Sequence, residues 1–220
     1  MNPDTDFSIR SFLGGFDNNF TYLITCSQTG LQVLIDAAIE LEKISKYIIN
    51  HPLAILITHT HSDHIAFLED YKKAYPKMQI LGHPKSNKFS NKKNFIPLND
   101  RQIVNIGVLK FNIIYTPGHF YDSICYQLKP ALFTGDTMFV GRTGRVISNK
   151  SNIKHLYNSI YNKILTLPMN TRIYPGHDYG HIQSILLSDN IDNSPLLRAK
   201  NFDDFKYRMN EYEKNRNIGS

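Results

Sequence analysis

The sequence has few cysteines and no long apolar run. Only Cys26 and Cys125 occur among its 220 residues, so no disulfide framework is expected and the cytoplasm is the default location. No segment approaches the roughly 18 consecutive apolar residues that a membrane-spanning helix needs. The opening MNPDTDFSIR has no basic stretch followed by an apolar one, which argues against a secretory signal. We therefore expect a cytoplasmic protein with no membrane partner.

Internal repeats and long low-complexity linkers are absent as well. A chain of 220 residues with 41% apolar side chains is able to bury a substantial core. We expect residues 1–220 to form one domain, in which 180–220 is a C-terminal helical extension. A homodimer is compatible with this organisation.

The charge balance is basic, with a formal net charge of +6 and a lysine-rich segment, KSNKFSNKKN, at 85–94. Nucleic-acid binding and a solvated loop are the two interpretations of that segment. Phe89 and Phe95 are the only aromatic residues beside these lysines, too few for a platform on which bases stack. A basic surface is equally suited to attract a small acidic molecule. We expect a small anionic substrate and no nucleic-acid partner.

Apolar periodicity and turn residues predict the order of the secondary structure. The predicted strands lie at 7–13, 20–25, 31–36, 53–58, 78–81, 102–108, 110–115, 123–128, 131–134 and 172–175. The predicted helices lie at 38–49, 64–75, 152–167 and 202–216. This order favours an α/β fold with two mixed sheets, each covered by helices.

The segment THTHSDH at 58–64 is a candidate metal site at the end of an apolar strand. Residues two apart point the same way on an extended segment, so His59 and His61 are able to converge on one ion. Asp63 and His64 point elsewhere, which suits a second ion. Imidazole and carboxylate ligands favour zinc, iron or manganese over calcium. The alternative is a polar loop, but so dense a cluster is improbable when the chain has only nine histidines.

Three further strand ends carry ligand-type side chains: TPGH brings His119, GDT brings Asp136 and PGHDY brings His177. Each alone is weak evidence, because such residues also cap turns and helices. Together with THTHSDH they give four strand ends with metal ligands, as expected if the ends converge on one rim. Loops held by a rigid sheet are a common place for function.

In this order, the four motifs resemble those of the metallo-β-lactamase superfamily. The resemblance implies a four-layer αβ/βα sandwich with a metal centre at one edge. It implies one ion held by His59, His61 and His119, and a second held by Asp63, His64 and His177. Asp136 would bridge the two ions.

Two branches of that superfamily resemble the chain more closely than the others. The stretch GDTMF resembles the hydroxyacylglutathione hydrolases, also called glyoxalase II. This branch implies two divalent ions (zinc first, iron or manganese as alternatives), a metal-bound hydroxide that cleaves a thioester, and Asp63 as the catalytic residue that orients the water. Stretches such as FTYLI, VLIDAAIE and SPLLRAKNFDDF resemble the persulfide dioxygenases. That branch implies a single Fe(II) at His59, His119 and Asp136 and oxidation of glutathione persulfide.

Other activities of the superfamily fit less well. Zinc β-lactamases typically place a cysteine near the second ion, whereas Cys125 lies within a predicted strand and is expected in the core. The nucleases carry additional arms or domains for which 220 residues leave little room. A non-catalytic binding role is disfavoured because a decayed site would normally lose ligands. Hydrolysis is therefore our first prediction and dioxygenation the second.

The substrate residues are less clearly marked than the metal ligands. Both branches usually carry GCG followed by an arginine or lysine that holds a glutathione carboxylate. This chain has GRTGR at 141–145, in which Arg145 matches the basic position and Arg142 adds a charge nearby. We predict that Arg145, Arg142 and Tyr179 bind an anionic, thiol-derived substrate.

Overall fold

The computed structural model describes residues 6–86 and 94–216. Its strands are β1 Phe7–Gly14, β2 Asn19–Cys26, β3 Gln32–Ile35, β4 Ala54–Leu56, β5 Gln79–Gly82, β6 Phe95–Pro97, β7 Ile103–Ile106, β8 Leu109–Tyr115, β9 Ile124–Leu128, β10 Ala131–Gly135, β11 Arg172–Pro175 and β12 Ile185–Leu186. Its α-helices are α1 Leu41–Ser45, α2 Leu68–Ala74, α3 Ile153–Ser159, α4 Leu187–Asn193 and α5 Phe202–Arg216. Most of the lysine-rich segment, 87–93, lies outside the described residues, so its interpretation as a solvated loop stays a prediction.

Two six-stranded mixed sheets form the centre of the molecule. The first has the order β1-β2-β3-β4-β5-β6 and the second the order β12-β11-β10-β9-β8-β7. In the first sheet β3 to β6 are parallel, and in the second β10 and β11 are parallel. Because parallel strands end at the same edge of a sheet, the segments that follow β3, β4, β10 and β11 all lie at one edge.

Three apolar clusters fill the spaces between the layers of the expected sandwich. The central cluster lies between the sheets, with Phe20 and Ile35 from the first and Phe111 and Phe133 from the second. A second cluster packs α3 and α5 on the outer face of the second sheet. A third packs α1 and α2 on the outer face of the first sheet. The predicted α/β sandwich with two mixed sheets, each covered by helices, is confirmed.

Backbone hydrogen bonds join the two sheets at the edge where the polar motifs lie. Phe20 N donates to Gly176 O at 2.8 Å, and Ile124 N donates to Thr58 O at 2.7 Å. Asp178 N donates to Asn18 O, also at 2.8 Å. These bonds fix the relative position of the strand ends on which a site there depends.

The helices after β3 and β4 are shorter than predicted. The segment expected as a helix over 38–49 is helical only over Leu41–Ser45, and the one expected over 64–75 begins at Leu68. Ala37 explains both changes, because its N–H donates to His64 O and its carbonyl accepts from Phe67 N. These bonds tie the two segments together, so His64 lies on a turn before α2.

The C-terminal part contains more than the predicted helices. α3 continues as a π-helical turn over Ile160–Ile164, which together match the helix expected at 152–167. The expected helical extension at 180–220 begins with β12, which pairs with β11, before α4 and α5. Within the described residues no helix is both long and apolar enough to cross a bilayer.

Candidate metal centre

One group of ligand-type atoms comes from His59, His61 and His119. His59 Nε2 lies 2.9 Å from His61 Nδ1, and His119 Nε2 lies 3.0 Å from the same atom. Asp136 Oδ2 completes the group at 3.3 Å from His119 Nε2. The four ligand atoms all lie within 4.8 Å of one another, a cluster compact enough for one ion to contact them all.

A second group consists of Asp63, His64 and His177. His64 Nε2 and His177 Nε2 are 3.1 Å apart. Asp63 Oδ2 lies 3.6 Å from His64 Nε2 and 3.4 Å from His177 Nε2. The structure therefore brings together all seven residues that the sequence singled out as ligands, in two groups.

The carboxylate of Asp136 lies between the two groups. Its Oδ1 is 3.1 Å from His64 Nε2 and 3.3 Å from His177 Nε2, while Oδ2 faces His119 and, at 4.0 Å, His59 Nε2. Oδ1 is buried yet accepts no hydrogen bond with acceptable geometry. Buried polar atoms are nearly always satisfied, so this atom and the imidazole nitrogens around it fit divalent metal ions.

Two glycines of the motifs permit this close packing. Gly135 has a φ of +48°, and a Cβ there would meet Thr58 Oγ1 at 2.6 Å. At Gly176 a Cβ would collide with Asp136 Oδ1 and would lie 2.7 Å from His64 Cε1. A side chain at position 135 would displace Thr58, and one at position 176 would displace Asp136 and His64, which explains the glycines of GDT and PGH.

Asp36 is a buried partner of the second group that the sequence did not single out. It follows β3 in the left-handed region at φ +58°, and its side chain is 2% exposed. Its carboxylate accepts from Thr58 N at 2.7 Å and from the Thr58 hydroxyl at 2.7 Å, and lies 2.8 Å from His64 Nδ1. This contact orients the ring so that Nε2 faces Asp136. A carboxylate directly after an apolar strand was the available signal.

The turn between β1 and β2 supplies further partners. Asn19 Nδ2 donates to Asp63 Oδ2 at 2.8 Å, and the Asp17 carbonyl lies 2.7 Å from His177 Nδ1. On the opposite side, His119 Nδ1 lies 2.9 Å from the Arg145 carbonyl. For His177 and His119 the contact at Nδ1 leaves Nε2 facing the centre, as in protein metal sites, whereas Asn19 holds the Asp63 oxygen that itself faces the second group.

The first group is electrostatically suited to neutral imidazoles. Burial, followed by the neighbouring His64, lowers the pKa of His59 well below its usual value. Burial and the nearby His119 lower the pKa of His61 to about 4. Neutral rings with a free nitrogen are the form that binds metal.

The second group has the opposite tendency. Burial opposes protonation of His64, but Asp136 and Asp36 outweigh it and raise its pKa well above the usual value. Burial also opposes protonation of His177, but Asp136 first and then Asp63 raise the pKa of His177 to about 9. Against its own burial, attraction to His64 and His177 lowers the pKa of Asp136 well below the ordinary range. Without metal, the second group therefore holds protons.

A cavity of about 260 Å³ opens above the two groups. The three predicted substrate residues, Arg142, Arg145 and Tyr179, line its wall. Asp17, Phe139 and Thr143 also line it and were not anticipated. His181 is exposed and outside this lining, and Cys125 is buried in the core as expected.

The wall residues already have partners within the chain. The Arg142 guanidinium lies 4.3 Å from the Tyr179 ring centroid and donates to the Tyr179 carbonyl at 2.9 Å and the Tyr212 hydroxyl at 2.8 Å. The Tyr179 ring stacks on His177, and its hydroxyl donates to the Asp17 carboxylate. The wall is thus built from the β1–β2 turn and the C-terminal helix as well as from the motifs.

Comparison with known proteins gives the same family as the motifs. The family model described as the metallo-beta-lactamase superfamily matches residues 14–177, so α5 lies beyond the matched segment. The hydroxyacylglutathione hydrolase of Francisella tularensis subsp. novicida is 33% identical over 194 residues, which cover 84% of this chain and 74% of that protein. The chain thus spans about three quarters of the length of this curated relative.

Solved structures support the same conclusion. ETHE1 from Myxococcus xanthus is 28% identical with a TM-score of 0.81, covering 92% of this chain and 90% of that one. TTHA1623, solved in a di-iron-bound form, is 25% identical with a TM-score of 0.73, covering 86% of this chain and 100% of that one. The chain belongs to the metallo-beta-lactamase superfamily and is an enzyme of the metallohydrolase type.

Proposed function

We propose that the protein is a dinuclear metallohydrolase that cleaves a thioester of glutathione or of a similar anionic thiol. The observation that carries the proposal is the position of Asp136, whose two carboxylate oxygens face two separate groups of ligand atoms. A single ion would not require His64 and His177 to be aimed at the far oxygen. Similarity to hydroxyacylglutathione hydrolases supports the choice of a thioester.

In this proposal each ion has three ligands of its own and shares Asp136. The first is held by His59, His61 and His119, and the second by Asp63, His64 and His177. Zinc is the first choice of metal, with iron or manganese as alternatives, because these suit imidazole and carboxylate ligands. Bound ions of this kind lower the pKa of water towards roughly 7 and polarise a carbonyl oxygen.

Asp63 is the proposed catalytic residue of the chain. Burial opposes its ionisation, yet hydrogen bonding with His177, attraction to His64 and the Asn19 amide together lower its pKa. Asp63 therefore remains a carboxylate and is able to orient a water molecule or accept its proton. With about a quarter of its side chain exposed, it reaches the cavity where substrate would enter. The leaving thiolate needs no strong general acid, because thiols ionise near pH 8.5.

The substrate would lie against the wall of the cavity. We propose that Arg145, Arg142 and Tyr179 contact its anionic part, since all three line the space above the ligand atoms. The cavity of about 260 Å³ is slightly smaller than the usual range for small-molecule sites, which begins at about 300 Å³. This size supports a small-molecule substrate and gives no support to a polymeric one.

A persulfide dioxygenase is the second candidate, and the similarity to ETHE1 over nearly the full length of both chains favours it. In that case one Fe(II) would use His59, His119 and Asp136. The Oδ2 atom of Asp136 lies 3.3 Å from His119 Nε2 and 4.0 Å from His59 Nε2, which suits a two-histidine, one-carboxylate face. The remaining ligand-type residues would then surround the iron.

Parallel assays on one preparation separate the two candidates. Protein purified without oxygen is loaded with zinc or with iron and given S-lactoylglutathione or glutathione persulfide. The proposal predicts thioester cleavage with either metal and no oxygen uptake on the persulfide. Oxygen uptake with iron, together with no thioester cleavage, would establish the dioxygenase instead.

A further inference from the structure

The end of helix α5 lies on the loop that forms the basic wall of the cavity. Side chains spaced three to four residues apart on one face of the helix contact three residues of that loop. The three contacts are Thr143 with Met209 at 3.4 Å, Arg142 with Tyr212 at 2.8 Å and Arg145 with Glu213 at 2.7 Å. Phe205 anchors the same face in the core. The helix therefore brings a carboxylate to the predicted substrate residues.

Glu213 takes the donors of Arg145 in the same way that a bound carboxylate would. Arg145 Nε donates to both Glu213 oxygens, at 3.1 and 3.0 Å, and Nη2 donates to Oε2 at 2.7 Å. This forked arrangement is the preferred mode by which arginine recognises carboxylates, whether from protein or from ligand.

Arg145 is also fixed relative to the proposed metal centre. Its carbonyl lies 2.9 Å from His119 Nδ1, and its side chain lines the cavity. A carboxylate bound at Arg145 therefore belongs to a molecule that reaches into the cavity. Glu213 and such a molecule compete for the same donors.

We propose that Glu213 is an internal competitor at the anion subsite of Arg145, displaced when an anionic thiol substrate binds. This inference rests on the proposed function only for the assignment of Arg145 to the substrate anion. On displacement, one carboxylate replaces another at the guanidinium and the last turn of α5 is released. Glu213 then sets the affinity for anionic substrates without touching the reacting atoms.

The exposure of the ion pair makes such an exchange feasible. About a third of the Arg145 side chain and a quarter of the Glu213 side chain are exposed. Ion pairs of this kind are weak because water screens them. A pair of this strength would reduce the apparent affinity for a competing anion by roughly two- to sixfold.

The test is Glu213→Gln in the metal-loaded full-length protein, with glutathione as the probe in isothermal titration calorimetry. We expect glutathione to bind roughly two- to sixfold more tightly than to the unsubstituted protein. The KM for S-lactoylglutathione should fall by the same factor relative to the KM for an uncharged thioester. The matched control is Glu211→Gln on the same helix, since Glu211 pairs with Lys214 at 2.8 Å and does not line the cavity. This control should leave glutathione affinity unchanged.

A second readout follows the helix itself. Saturating glutathione should increase hydrogen exchange of the backbone amides at 209–216 in the unsubstituted protein, because displacement frees the last turn. Weaker or unchanged glutathione binding by Glu213→Gln would overturn the inference and would assign Glu213 to orienting Arg145. Failure of the proposed function is distinguishable. Tighter glutathione binding by Glu213→Gln without thioester cleavage would support the role of Glu213 as a competitor and would reject the proposed hydrolase. Thioester cleavage with an unchanged KM would support the hydrolase and would reject the competitor.

Discussion

The floor and the wall of the cavity are built in different ways. On the floor, the ligand atoms come from strand ends of both sheets, and partners such as Asp36 orient them from behind. On the wall, Arg142 and Arg145 are held by Tyr212 and Glu213 of α5, outside the segment that the family model matches. Under the proposed function, the sheets would determine the chemistry, whereas the C-terminal helix would influence substrate preference.

The largest expected effect comes from removing the residue shared by both halves of the floor. Asp136→Ala should lose both ions and reduce thioester turnover to the level of the metal-free protein, because each oxygen faces one ligand group. Metal content after dialysis and turnover with S-lactoylglutathione are the measurements. Asp192→Ala, an exposed aspartate on α4, is the control and should behave like the unsubstituted protein. Full metal content in the Asp136 variant would refute the ligand assignment.

Substituting a residue that orients a ligand from behind the floor should reduce metal binding less than removing a ligand. Asp36→Asn removes the charge beside His64 Nδ1 and should lower the affinity for the second ion by roughly 10- to 100-fold without changing the affinity for the first. Competition with a chromophoric chelator measures both affinities. An equal loss of affinity for both ions would show that the two ligand groups do not act separately.

The two halves of the floor should also differ in pH dependence. His177, with its pKa raised to about 9, holds a proton at neutral pH and must release it to bind metal, so affinity for the second ion should fall as pH decreases below 9. His61, with its pKa lowered to about 4, is already neutral and has no proton to release, so affinity for the first ion should depend less steeply on pH. Zinc titrations between pH 5.5 and 9 test this contrast. The affinity for the second ion should fall about tenfold per pH unit for each proton that this ion displaces. Parallel curves for the two ions would contradict it.

The smallest effect is expected on the wall. Tyr179→Phe removes the hydroxyl that donates to Asp17 but keeps the ring stacked on His177. One partly exposed hydrogen bond is worth less than a tenfold change, so KM should rise only a few-fold and metal content should not change. Steady-state kinetics and metal analysis on one preparation provide the check. Loss of metal from this variant would mean that wall and floor are not separable.

Much of the fold and all seven ligand-type residues could be predicted because their signals are local. Apolar runs ending in THTHSDH, TPGH, GDT and PGH mark both a strand and the polar residues at its end. The start of α2 was wrong by four residues because the bonds of Ala37 to His64 and Phe67 decide it. Asp36 and Glu213 were missed since their partners lie 28 and 68 residues away in sequence. β12, with two residues, has no periodicity to detect.

The central claim is that Asp136 lies between two ions, and the most direct test is the metal stoichiometry of protein purified without oxygen and without added chelator. Inductively coupled plasma mass spectrometry against quantitative amino-acid analysis gives ions per chain. The account predicts two ions per chain, reduced to one when the second group is disabled by His177→Ala. A single ion per chain, unchanged by His177→Ala, would contradict it.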